Sequence, residues 1–190
     1  MANKITIARI LLVLPFIMVF LWNSQWNMKV ALIIFIIAAV TDYLDGYVAR
    51  ARNETSALGA ALDPIADKLL VAATLVLLTK NGVISGVSVL AVLAILLREI
   101  LVSGLREAVA RSSGEEISVT ALAKGKTMLQ LVSVGLFLAT APGGLLVSVS
   151  FFKFAAIISL WCAAGLTIWT GSDYVKTAAA KLAGYSPSKG

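Results

Sequence analysis

Apolar residues in this chain run in six long blocks, at roughly 5–22, 29–50, 62–80, 84–107, 121–141 and 146–171, each near the ~20 residues that cross a bilayer as a helix. Short polar connections separate them at Asn23–Met28, Arg50–Ala61, Asn81–Val83, Ala110–Thr120 and Ala141–Leu145, with Gly82, Pro142, Gly143 and Gly144 as turn signals. The pattern predicts an all-α integral membrane protein, a bundle of six transmembrane helices in which short links make successive helices antiparallel neighbours. The 190 residues suit one domain spanning 1–190, with no room for a separate soluble module.

Composition agrees with that solvent: 59% of residues are hydrophobic and only 14% charged, and the mean hydropathy is +0.94. Lys4 and Arg9 ahead of the apolar run Ile10–Trp22 resemble the start of a secretory signal, but no small-x-small cleavage site follows. An uncleaved first span is therefore expected, with Trp22 and Trp26 as interfacial anchors.

The proposed spans put Lys29, Lys80 and Lys153 on one side and the rest of the 16 Lys and Arg residues on or toward the other. Positive charge marks the inner face, so both termini are expected in the cytoplasm. The net charge of +6 then lies mostly against anionic lipid. Nucleic acid does not explain it, because the cations are split among short loops without interleaved aromatics. Cys162 is the only cysteine and there is no histidine, so no internal disulfide forms and any metal must be held by oxygen.

Against this apolar background stand four aspartates, in the order Asp42-x2-Asp45-Gly46-x2-Ala49-Arg50-x8-Gly59-x3-Asp63-x3-Asp67. A carboxylate at membrane depth costs several kcal/mol or more unless it is paired or lines a functional cavity. At about 100° per residue, Asp45, Gly46, Ala49 and Arg50 fall within roughly 80° of Asp42. Asp63 and Asp67 are four apart and share a face of the next helix. Facing stripes then bring four carboxylates together, in a polar cavity reaching about 12 Å from the Arg50 level into the cytoplasmic half of the bilayer.

Hard oxygen donors without imidazole or thiolate select Mg²⁺, Mn²⁺ or Ca²⁺. Four carboxylates balance two divalent ions, the arrangement that clamps both sides of an in-line phosphoryl displacement. Gly46 and Ala49, with Gly59 in the following loop, leave backbone open to a planar base or pyrophosphate, and Arg50 is placed to meet a phosphate. Singly, these small residues also suit plain helix packing, and Arg50 suits topology.

The complete string, from Asp42 to Asp67, resembles the signature of the CDP-alcohol phosphotransferases. The resemblance implies six transmembrane helices, a homodimer, and a site with two divalent cations, Mg²⁺ or Mn²⁺, that transfers a substituted phosphoryl group from a CDP-linked donor to an alcohol and releases CMP. It assigns Asp42, Asp45, Asp63 and Asp67 to the metals, Gly46, Ala49, Arg50 and Gly59 to the CDP group, and Asp67 also to proton removal from the attacking hydroxyl.

Flanking residues are similar to the branch that joins CDP-diacylglycerol to glycerol 3-phosphate. They include Asn3, Thr6 and Arg9, the run from Arg98 and Glu99 through Ser103 to Arg106 and Glu107, then Lys124, Lys126, Thr127 and Gln130, and Ser172-Asp173-Tyr174. Ala123 and Gly125 depart from that branch's pattern, where Gly and Trp are usual. An acceptor with its own phosphate needs cations apart from the metals, and Arg106, Lys124 and Lys126 flank one cytoplasmic loop from two helices. Thr6, Arg9 and Arg98 are accessory candidates; for Arg98, access to the cavity and an internal ion pair stand as alternatives.

Three further readings remain open at this stage. In the first, the same chemistry serves another acceptor: inositol phosphate, serine or phosphatidylglycerol. A divalent-cation transporter also wants intramembrane acids, but it needs a polar route across the whole bilayer. Aspartate-rich prenyltransferases carry D-D-x2-D, a spacing this chain lacks.

Overall fold

The computed structural model describes the backbone of residues 2–22, 24, 26–52, 57–113 and 121–184, and the side chains of residues 10–22, 24, 26–41, 68–110 and 125–184. Those residues form six helices and no strand: α1 (Ala2–Leu21), α2 (Asn27–Arg52), α3 (Ala57–Lys80), α4 (Ser88–Ser113), α5 (Ala121–Thr140) and α6 (Ser150–Leu182). Two of them, over Ser88–Ala110 and Ser150–Leu182, are long and apolar enough to cross a membrane. Ile10–Leu21, Asn27–Thr41 and Gly125–Thr140 are shorter apolar helices.

Helix limits depart from the apolar blocks where hydropathy and backbone hydrogen bonding part company. α3 begins at Ala57, so Gly59 lies inside a helix and not in the loop expected for it. Ala57, Ala60 and Ala61 surround it, and their helix propensity outweighs the ~1 kcal/mol that one glycine costs. α4 starts only at Ser88, because Gly82 and Gly86 adopt φ of 70° and 59° and turn the chain before it. α6 runs on to Leu182, well past the apolar limit at 171, as a polar-faced extension.

One contiguous apolar core draws on all six helices, and it occupies one end of the bundle. It takes Val13, Phe16 and Phe20 from α1, Met28 to Ala38 from α2, Leu70 to Leu78 from α3, Ala91 to Ile95 from α4, Val134 to Ala139 from α5 and Ala156 to Ala164 from α6. Phe16, Leu78 and Leu138 have no exposed surface at all. Filling this end with large side chains leaves the other end to α2 beyond Thr41, α3 before Leu69, α4 beyond Leu97, α5 before Leu131 and α6 beyond Leu166. The chain's polar residues within helices concentrate there.

Packing is closest where α6 meets α4 and α5. The buried face of α6 reads Ala156, Ser159, Leu160, Ala163, Ala164, Thr167, Gly171 and Ala178, a mostly small-residue stripe at helical spacing that lets backbones approach. Ser133 Oγ of α5 donates to the Ala156 carbonyl of α6 at 3.0 Å. Other hydroxyls satisfy themselves on their own helix: Thr74 and Thr170 donate to carbonyls four residues back, at 2.7 and 2.8 Å.

Outward faces are apolar as well. Leu90, Leu93, Leu97, Ile100 and Leu101 of α4 and Phe151, Phe154, Trp161, Ile168 and Trp169 of α6 are exposed. Such a surface is far larger than the apolar patches water tolerates, and lipid is the solvent that covers it. This is a membrane protein.

Candidate active site

The named residues of the aspartate string lie on the backbone of two helices. Asp42, Asp45, Gly46, Ala49 and Arg50 belong to α2, and Gly59, Asp63 and Asp67 to α3. The helical spacing behind their shared faces is therefore present. Their side chains lie outside the described residues, as do those of Thr6, Arg9 and Lys124. The described parts of α2 and α3 pack on α1 and α5, and α3 also on α4; the facing of their aspartate-bearing stripes expected from the sequence lies outside the described residues. Among the described residues no cluster of acidic, Cys or His side chains suits a metal. The donors suited to one are the four aspartates, an all-oxygen set that fits hard divalent ions.

Immediately after Asp67, the described side chains begin with a polar knot. Glu99 of α4 accepts a hydrogen bond from the Lys126 ammonium of α5. Its carboxylate also meets Lys68 Nζ of α3 at 3.4 Å and Arg98 Nη1 at 3.2 Å. Lys68 donates in addition to Ser103 Oγ, one turn along α4 from Glu99. Three cations thus surround one carboxylate, an excess of positive charge next in sequence to the carboxylate of Asp67. These groups are well enclosed, with side-chain exposures of 16% for Glu99, 6% for Lys126 and 12% for Arg98.

Arg98 carries the knot across to α6. Its Nη2 donates to Thr170 Oγ1 at 3.1 Å, and its stem lies over Gly171, where a Cβ would stand 2.8 Å from Arg98 Cγ. Only glycine leaves room for that crossing. Arg98 Nε and Tyr174 Oη, one turn further along α6, are buried and have no hydrogen-bond partner among the described residues. Below the knot, Gln130 Nε2 donates to Thr167 Oγ1 at 3.3 Å, sealing α5 to α6.

Of the two alternatives for Arg98, the structure shows the internal ion pair. Of the three cations expected to meet an acceptor phosphate, Lys126 is held on Glu99, Arg106 is half-buried two turns along α4 from Glu99, and the Lys124 side chain lies outside the described residues. Sequence reasoning did not single out Lys68, Thr170 or Gly171. A lysine inside an apolar block, directly after an aspartate, was the one signal that pointed to Lys68.

The chain matches a known protein family over most of its length. A family model described as CDP-alcohol phosphatidyltransferase covers residues 1–169. The chain belongs to the CDP-alcohol phosphatidyltransferases. It is similar to curated members from Rickettsia felis, 37% identical over 92% of either chain, and from Rickettsia bellii, 39% identical over 92% of either. Another, from Escherichia coli K12, is 35% identical over 94% of either chain. Each of those three relatives is named CDP-diacylglycerol–glycerol-3-phosphate 3-phosphatidyltransferase. CDP-alcohol phosphatidyltransferases are enzymes that generally use divalent metal ions, in keeping with the oxygen-only donor set on α2 and α3.

Proposed function

We propose that this chain transfers the phosphatidyl group of CDP-diacylglycerol to glycerol 3-phosphate, giving phosphatidylglycerophosphate and CMP. The observation that carries the reading is similarity over nearly the full length to enzymes named for that reaction, with the aspartate string intact from Asp42 to Asp67.

Asp42, Asp45, Asp63 and Asp67 would hold two divalent cations, Mg²⁺ or Mn²⁺, whose positive charge stabilises the charge that develops on the pyrophosphate and the attacking oxygen. Asp67 takes the proton of the acceptor hydroxyl as its oxygen attacks the phosphorus that bears diacylglycerol. The new P–O bond forms as the bond to CMP breaks, and CMP leaves. Gly46, Ala49 and Gly59 give the cytidine group close access to backbone, and Arg50 meets a donor phosphate. Arg106, Lys124 and Lys126 bind the phosphate of the acceptor, with Thr6, Arg9 and Arg98 as accessory groups.

The division of the bundle into packed and polar ends supports this chemistry at one membrane face. Acyl chains stay in lipid, while the polar head of the donor reaches a cavity open to a soluble acceptor. In this reading all six helices span the bacterial inner membrane, the site and both termini face the cytoplasm, residues 1–190 act as one domain, and two copies pair. A cation pathway is disfavoured by the end packed with Phe16, Leu75, Leu78, Ile95 and Phe137, which offers a permeating ion no polar group among its described buried residues beyond Thr and Ser hydroxyls.

Purified protein given CDP-diacylglycerol and Mg²⁺ or Mn²⁺, with glycerol 3-phosphate, inositol phosphate, serine or phosphatidylglycerol in separate reactions, tests the proposal. CMP release with glycerol 3-phosphate alone is expected. Preference for another acceptor would keep the chemistry and overturn the acceptor.

A further inference from the structure

Glu99 has no part in the reaction as written above, yet it is the point where four helices meet. Its carboxylate touches Lys126 of α5, Lys68 of α3 and its own neighbour Arg98, and Arg98 in turn binds Thr170 of α6. Among the described residues, one carboxylate among three cations is placed to hold charges in position.

We propose that Glu99 is a positioning residue for the acceptor side of the site, fixing the Lys126 ammonium where it meets the acceptor phosphate and holding Lys68, and with it the Asp67 turn of α3, against α4 and α5. This rests on the phosphatidyl-transfer reading given above. The physical need is plain. Lys126 is among the most buried charged side chains described, at 5% exposure, and an ammonium so placed is strongly unfavourable unless an opposite charge accompanies it. With Glu99 gone, Lys126 either withdraws toward water or gives up its charge, and in both cases its hold on a phosphate weakens. Lys68 and Arg98 would also be left as mutually repelling neighbours. Ser103 keeps one bond to Lys68, so the α3 contact would loosen without disappearing.

Steady-state kinetics on Glu99→Gln separates positioning from mere support of the fold. The acceptor KM is expected to rise about tenfold or more, while the KM for CDP-diacylglycerol stays within about twofold. Lys126→Met should show a similar acceptor defect, and the double variant should be no worse than the poorer single one, because the two residues act through the same contact. Glu99→Asp should recover most of the lost acceptor affinity. An unchanged acceptor KM in Glu99→Gln, or defects that multiply in the double variant, would overturn the proposal.

If Glu99→Gln does not fold, the reversed pair Glu99→Lys with Lys126→Glu restores an ion pair with opposite polarity. It is expected to fold and to retain the raised acceptor KM; a normal acceptor KM would reduce Glu99 to structural support. Wild-type protein assayed alongside keeps the two readings apart. Absence of CMP release from wild type defeats the phosphatidyl-transfer reading itself, whereas wild-type activity with a silent Glu99→Gln defeats this inference alone.

Discussion

Asp67 and Lys68 stand side by side on α3, and the proposed reaction gives them different tasks. The first is assigned to the hydroxyl proton, and the second is tied to Glu99 and Ser103. Asp67→Asn keeps the shape and removes the base, so turnover should fall about 10²-fold or more, while metal-dependent binding of CDP-diacylglycerol persists. Near-normal turnover in that variant, followed as CMP release, would remove Asp67 from its role. At this scale the sequence was informative for a physical reason. Carboxylates are so costly in lipid that their presence predicts a site, and the helical backbone on which they lie was legible from the apolar pattern, whereas their side chains lie outside the described residues. Lys68 and Glu99 were harder to read, since their meaning comes from contacts between helices far apart in sequence: Lys68 and Glu99 are 31 positions apart, and Glu99 and Lys126 27.

Helices show the same contrast. All six apolar blocks correspond to helices α1 to α6, because a span of apolar residues is both what lipid solvates and what a helix can hydrogen-bond internally. Their ends were less legible. Hydropathy reports the solvent of the side chains, whereas the helix ends where the backbone turns, so α6 continues to Leu182 and α3 takes in Gly59. Nor does periodicity say which helix lies against which, and the closeness of α4 to α6 comes from the small-residue stripe on α6. Gly171 tests that closeness. A methyl group there would stand 2.8 Å from Arg98 Cγ, so Gly171→Ala should displace Arg98 from Thr170 and lower stability by roughly 1–3 kcal/mol. Thermal unfolding in detergent checks this; an unchanged midpoint would mean that Arg98 finds another path at no cost.

Across the whole molecule, the described apolar core lies toward one end of the bundle and the ion pairs around Glu99 toward the other, the division that the proposed one-sided chemistry uses. In the sequence, Lys29, Lys80 and Lys153 form a separate, sparser set of cations, a charge asymmetry distinct from that packing. It predicts orientation. In a Cys162→Ser background, cysteines at positions 80 and 153 should react with a membrane-impermeant maleimide added to intact cells, and one at position 176 only after the membrane is opened. Labelling of position 176 from outside would invert the topology and separate the site from its cytoplasmic substrates. The enzymatic account as a whole is tested most directly by release of CMP from CDP-diacylglycerol by the purified protein. The account predicts release that requires both glycerol 3-phosphate and Mg²⁺ or Mn²⁺, ceases with a chelator and returns with the metal. No release with any acceptor, or release indifferent to the metal, would contradict it.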